Sequence, residues 1–130
     1  MINGEEARFE WVQAEDCLDA AEFLIGGGYY NSACNRLYCA VYHAAKTLMI
    51  ARDTETKSHK GLFNQFSLYY VKTGVFHRDE HLVYRDIWTA RESADYTTFA
   101  DFTEADARAY LPRVEAFLAK AQSLLDFPKA

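Results

Sequence analysis

Apolar residues recur every three to four positions along almost the whole chain, and little interrupts them. Among 130 residues only two are proline, Pro112 and Pro128, and the one run of glycine is Gly26-Gly27-Gly28. A period near 3.6 gathers such residues on one side of a helix, and no two-residue alternation competes with it. The fold class is expected to be all-α.

The stripes can be read in turn. From about Gly4 to Ile25 the inward residues are Trp11, Ala14, Leu18, Ala21 and Ile25. The triple glycine ends this helix, since glycine supplies a left-handed cap and three in a row dissolve the helix. A second helix should begin near Asn31 or Ser32, either of which can cap it. Its stripe is Ala33, Leu37, Ala40, Val41, Ala44 and Leu48, and it ends before the polar loop RDTETKS. Ser58 is placed to cap a third helix with Leu62, Phe63, Phe66, Tyr69 and Tyr70 inward and Gly74 at its close. A fourth helix from about Asp79 to Tyr96 should turn Leu82, Ile87, Trp88 and Ala94 inward. TTFADFT reads as a loop. Thr103 and Asp106 resemble a capping box for the last helix, which carries Ala107, Tyr110, Leu111, Val114, Phe117, Leu118, Ala121 and Leu125. Pro112 falls inside that pattern, where it costs ~3 kcal/mol. A kink is expected there, or a helix that starts later than Thr103. Five amphipathic helices with short connections imply an up-and-down bundle, a single domain over residues 1–130.

Half of the residues are hydrophobic and a quarter charged, enough for a real core. No run approaches the ~18 to 20 apolar residues of a membrane span, and the acidic start MINGEEARFE reads neither as a signal peptide nor as a transit peptide. No membrane association is expected, and the cytoplasm is the expected location. Cys17, Cys34 and Cys39 are odd in number and lack CxxC spacing, so they read as small core residues, without a disulfide framework or a zinc site. The net charge of −5 argues against a broadly basic nucleic-acid surface. Its distribution is uneven: residues 1–28 carry −6, residues 29–60 carry +3 and residues 61–130 carry −2. The basic third points to an anionic ligand nearby.

That basic third contains NRLYCAVYH, residues 35–43. Arg36 and His43 lie seven positions apart, close to two helical turns, so both leave one face on the flank of the apolar stripe. Tyr38 and Tyr42 are their neighbours. SHKG, residues 58–61, puts His59 and Lys60 in the first turn of the third helix, where anions are attracted. RESADY, residues 91–96, spaces Arg91 and Asp95 as an i,i+4 pair, expected with Tyr96 to be structural. HRDEH, residues 77–81, matches the inverted zinc-protease pattern His-x-x-Glu-His. It lies at a loop-to-helix start without a third-ligand constellation, so a solvated helix start is expected and no metal or other cofactor is implied.

Together YYNSACNRLYCAVYHAAKTLM, SHKG and ARESADY resemble the HEPN superfamily (higher eukaryotes and prokaryotes nucleotide-binding), in particular its small stand-alone bacterial and archaeal proteins. The resemblance runs from about Trp11 to Leu125. It implies a four- or five-helix bundle, a homodimer, and pairing of many members with a small nucleotidyltransferase, often as toxin and antitoxin. Active members are metal-independent ribonucleases with an Arg, four to six residues, then a His. Arg36 and His43 are separated by six, and Asn35 matches the polar residue that commonly precedes the Arg. Two positions depart from the branch: Cys39 stands where a second Tyr is common, and Ala45 where partner-modified toxins carry a Tyr.

On the ribonuclease reading the RNA's own 2′-OH is the nucleophile. His43 serves as general base or acid, and Arg36 holds the scissile phosphate with its planar fork of donors. A two-fold dimer brings a second Arg–His pair to the same cleft. Asn35, Tyr38, Tyr42, Lys46, His59 and Lys60 are the candidates to position RNA or nucleotide. The alternative is a non-catalytic module that binds a nucleotide or docks a small nucleotidyltransferase. A third possibility is that Arg36 and His43 satisfy a dimer interface.

Overall fold

In the computed structural model, residues 2–96 and 102–125 are described, with side chains over 4–92 and 102–125. The elements are α1 (Ile2–Gly26), α2 (Tyr30–Ala51), α3 (His59–Phe66), α4 (Arg78–Tyr96) and α5 (Glu104–Ser123). There is no strand among the described residues, so the all-α expectation holds. Nor is any described helix long and apolar enough to cross a membrane.

The turn between α1 and α2 is as tight as the triple glycine allows. Gly28 adopts φ +82°, a left-handed conformation that costs glycine nothing. Around it the Tyr29 amide donates to the Leu24 carbonyl at 2.9 Å and the Gly28 amide to Ile25 at 3.1 Å, which closes α1. This early turn corrects the expected start of α2. The helix begins at Tyr30 with Tyr29 at its cap position and no side-chain cap. Asn31 is used elsewhere: its Oδ1 accepts the Phe102 amide at 2.8 Å and ties the start of α2 to the segment before α5.

α2 is the hub and touches α1, α3, α4 and α5. Its pairing with α1 is the most extensive in the fold. Ala14 and Ala21 of α1 and Ala33, Ala40 and Ala44 of α2 are fully buried, and residues this small let two backbones come close. On the other side of α2 an aromatic core gathers round Phe66. The rings of Phe76, Phe117 and Tyr84 lie 4.9, 5.5 and 5.7 Å from it.

Several local expectations meet the structure directly. Ser58 caps α3 by accepting the Gly61 amide at 2.9 Å. Thr103 and Asp106 form the reciprocal capping box of α5. α5 then runs unbroken from Glu104 through an exposed Pro112, so the later start is excluded. α3 is shorter than its apolar pattern, because from Ser67 to Val71 the chain widens into a π-helical turn, with Lys72 donating to the Ser67 carbonyl at 2.9 Å. The inward face of α4 is also shifted: Val83, Tyr84 and Ile87 are buried while Leu82 and Trp88 are half-buried, since Tyr84 reaches into the Phe66 cluster. The side chain of Ala94 and the first five residues of TTFADFT lie outside what is described.

Two substitutions test this packing. Ala40→Leu should lower stability by about 1–3 kcal/mol in urea unfolding, because the α1–α2 seam has no room for a larger side chain. Thr103→Ala should cost about 1 kcal/mol through the lost cap. An Ala40→Leu protein as stable as the wild type would contradict the close seam.

Candidate functional site

The packing of α2 leaves one strip of it open. Through the body of the helix, Asn35, Arg36, Cys39, Tyr42, His43 and Lys46 keep solvent access, while the residues between them are buried. These positions follow one another at helical spacing, so they form a continuous face. α1 borders it on one side, and α4 with the start of α3 on the other.

On the α1 side, His43 Nδ1 is hydrogen-bonded to Glu10 Oε1. The pair is partly enclosed, with the His43 side chain 24% exposed and that of Glu10 12% exposed. Burial alone would raise the Glu10 carboxyl. The hydrogen bond from His43 and the positive charge of Lys46 outweigh it, and hold Glu10 below its ordinary 4.5. An ionised Glu10 accepts a proton-bearing Nδ1, which fixes the ring and leaves Nε2 as the nitrogen that can exchange protons with a substrate. Arg36 is exposed on the same strip and lies near Cys17 of α1. Cys17 and Cys39 are in contact without a disulfide between them, and that contact together with burial pushes the Cys17 thiol up.

On the α4 side, Arg91 Nε donates to Asn35 Oδ1 at 3.1 Å and its guanidinium lies 5.0 Å over the Tyr38 ring. This joins α4 to α2. The partner expected for Arg91, Asp95, and its neighbour Tyr96 lie outside the described side chains. Tyr38 is buried, and its hydroxyl is hydrogen-bonded to His59 Nδ1. Tyr42 contacts both histidines, stacked on His59 at 4.5 Å and 23° and edge-on to His43 at 5.1 Å and 78°. Lys46 Nζ lies 5.9 Å from the Tyr42 ring. Lys60, one residue beyond His59, is exposed on the first turn of α3.

Two depressions flank His43 along the strip. One, of about 600 Å³, is lined by Leu24, Asn31, Ser32, Asn35, Arg36 and Arg91. The other, of about 510 Å³, is lined by four glutamates, Glu5, Glu6, Glu10 and Glu55, with Phe9, Lys46, Ile50, Thr54 and Thr56. An anion is drawn to the first and repelled by the rim of the second, so the strip has an electrostatic direction.

HRDEH is spent on structure. Glu80 turns back to accept the His77 amide at 2.8 Å, and His81 packs on Phe63 at 4.9 Å. No group of three or more potential metal ligands occurs among the described residues.

Glu10 is the functional candidate that sequence reasoning missed. Its signal was faint: it lies within the α1 stripe, beside Trp11 and one turn from Ala7 and Ala14, where an acid is out of place. Only the antiparallel register of α1 and α2 shows that this acid meets His43.

Fold and site together define a small helical-bundle protein whose central helix presents an Arg–His strip. The chain belongs to the HEPN family: the model of the HEPN domain matches residues 7–124. It is 27% identical to a UPF0332 protein of Thermotoga maritima over 96% of each chain. It is 31% identical to the protein named "Putative toxin MJ0605" of Methanocaldococcus jannaschii, over 86% of this chain and 83% of that one. The crystal structure of ST0689, described as an archaeal HEPN homologue, superposes with a TM-score of 0.71 at 21% identity, over 91% of this chain and 96% of that one. That likeness concerns the fold alone.

The Glu10–His43 contact carries a pH signature. Because the folded carboxyl is held below its ordinary 4.5, its contribution to stability is complete above that pH and fades as the pH falls through the lowered value. Glu10→Gln should remove this acid limb. The stability gap between wild type and variant, read by urea unfolding at a series of pH values, should narrow below about pH 4.5. A gap that stays constant with pH would contradict the pairing.

Proposed function

We propose that this protein is a toxin-like endoribonuclease that cleaves RNA without a metal ion, with Arg36 and His43 as its catalytic residues. The observation that carries the reading is the open strip of α2, on which an exposed Arg36 shares a face with a His43 whose Nδ1 is held by Glu10. The family's Arg-then-His pattern and the toxin-named relative lend it support.

The chemistry follows from these groups. His43 Nε2 takes the proton of a 2′-OH, and the resulting oxygen attacks the adjacent phosphorus. A bond forms between the 2′-oxygen and phosphorus as the bond to the 5′-oxygen breaks. Arg36 donates to the non-bridging oxygens, on which charge grows. Glu10 acts as a positioning residue, keeping the Nδ1 proton in place and steadying the imidazolium that forms. The leaving 5′-oxygen needs a proton, and one histidine serves only half of an acid–base pair. A second copy of the chain across a two-fold axis supplies the other, so the working unit is a homodimer with one shared cleft.

The test is cleavage of a mixed RNA pool in EDTA. Wild type should cleave, while Arg36→Ala and His43→Ala should lose activity with dimerisation intact. Glu10→Gln should retain a fraction, reduced by roughly 10- to 100-fold, as expected of a group that orients a functional imidazole. If none of the proteins cleaves at high concentration, the strip instead binds a nucleotide or a partner such as a small nucleotidyltransferase.

A further inference from the structure

His59 takes no part in the mechanism above, yet it is more constrained than an exposed first residue of a helix needs to be. The Ser58 cap fixes the turn that carries it. One face of its ring is stacked on Tyr42, and its Nδ1 is bound to the Tyr38 hydroxyl. Burial, the leading cause, pushes the Tyr38 phenol upward, so Tyr38 keeps its proton and donates it. Nδ1 is then the acceptor, and the proton of the neutral ring sits on Nε2. Burial first, then the charges of Arg91 and Lys46, hold His59 below its ordinary 6.5, with Glu92 opposing. At neutral pH the ring is a hydrogen-bond donor rather than an acid. The cations that keep it neutral also make its surroundings attractive to an anion.

We propose that His59 binds a second phosphate of the RNA strand, next to the scissile one, by donating a hydrogen bond from Nε2. Both histidines contact the same Tyr42 ring, His59 stacked on it and His43 edge-on to it, so His43 handles the reacting phosphate while His59, on the neighbouring helix, fixes the next one. Their tautomers are complementary. Glu10 holds the His43 proton on Nδ1 and leaves Nε2 as a base, whereas Tyr38 occupies His59 Nδ1 and leaves Nε2–H as a donor. His59 is thus a positioning residue. This inference rests on the ribonuclease reading for the word scissile, but the subsite can be measured without cleavage.

The probe is a 2′-O-methyl RNA oligonucleotide, whose blocked nucleophile prevents cutting, titrated by fluorescence anisotropy. His59→Ala should weaken binding roughly tenfold, the loss of one hydrogen bond to a charged group. His59→Gln, whose amide nitrogen reaches the same donor position, should bind within about threefold of wild type. On unmodified RNA, His59→Ala should raise KM, leave kcat nearly unchanged and keep both limbs of the pH profile. Wild-type affinity in a folded His59→Ala protein would overturn the proposal. So would a His59→Gln protein as weak as His59→Ala, or loss of one pH limb, which would make His59 the general acid. If wild type binds the probe in a His59-dependent way but never cleaves unmodified RNA, the subsite stands and the ribonuclease reading falls. If wild type does not bind at all, both fall.

Discussion

The close antiparallel seam between α1 and α2 is the constraint on which the rest depends. Fully buried alanines on both helices bring the backbones together, and the triple-glycine turn sets their register. That register decides what faces what across the seam. Glu10 meets His43 two turns along α1 from where Cys17 meets Cys39. A shift of the seam by one turn would leave a partly buried carboxylate without its imidazole, which is costly. Packing and chemistry therefore share one alignment. Because α2 is covered on every other side, its functional groups are confined to a single strip.

Electrostatics gives that strip a direction. The net charge of −5 belongs mostly to α1 and does not describe the site. Arg36 and Arg91 line one depression, and four glutamates line the other. On the proposed reading, an RNA strand approaching a molecule of this overall charge is repelled at long range and received only where the cations cluster. Such an arrangement favours a short contact over an extended basic track. The aromatic residues add a second kind of order. Tyr42 touches both His43 and His59, and each ring is fixed by a different neighbour, Glu10 in one case and Tyr38 in the other. Two identical side chains thereby present opposite hydrogen-bonding faces.

Much of this was legible from the chain alone, and the reasons differ by residue. The helices follow from period 3.6 and from strong punctuation, as Ser58, Thr103 and Gly28 show. Arg36 and His43 could be placed together because seven residues is a local distance on one helix. The start of α2 was misplaced because Asn31, a good cap by type, is claimed by Phe102, 71 positions away. The π-helical turn after Phe66 leaves no mark in a pattern that fits an ordinary helix as well. Glu10 and the linkage of Tyr38 to His59 were hidden for one reason. Each joins residues from two helices, and pairing across helices depends on a register that periodicity does not encode.

At the centre of the proposed activity, an RNA 2′-OH activated by His43 attacks the adjacent phosphate. The most direct measurement is the chemistry of the product ends, read by mass spectrometry after a defined RNA is cut in EDTA, beside the same RNA carrying a single 2′-deoxynucleotide at the cut. The expected result is a 2′,3′-cyclic phosphate on one fragment and a 5′-hydroxyl on the other, with no cleavage at the deoxy position. Fragments ending in a 3′-hydroxyl and a 5′-phosphate, or cutting that persists at the deoxynucleotide, would contradict it.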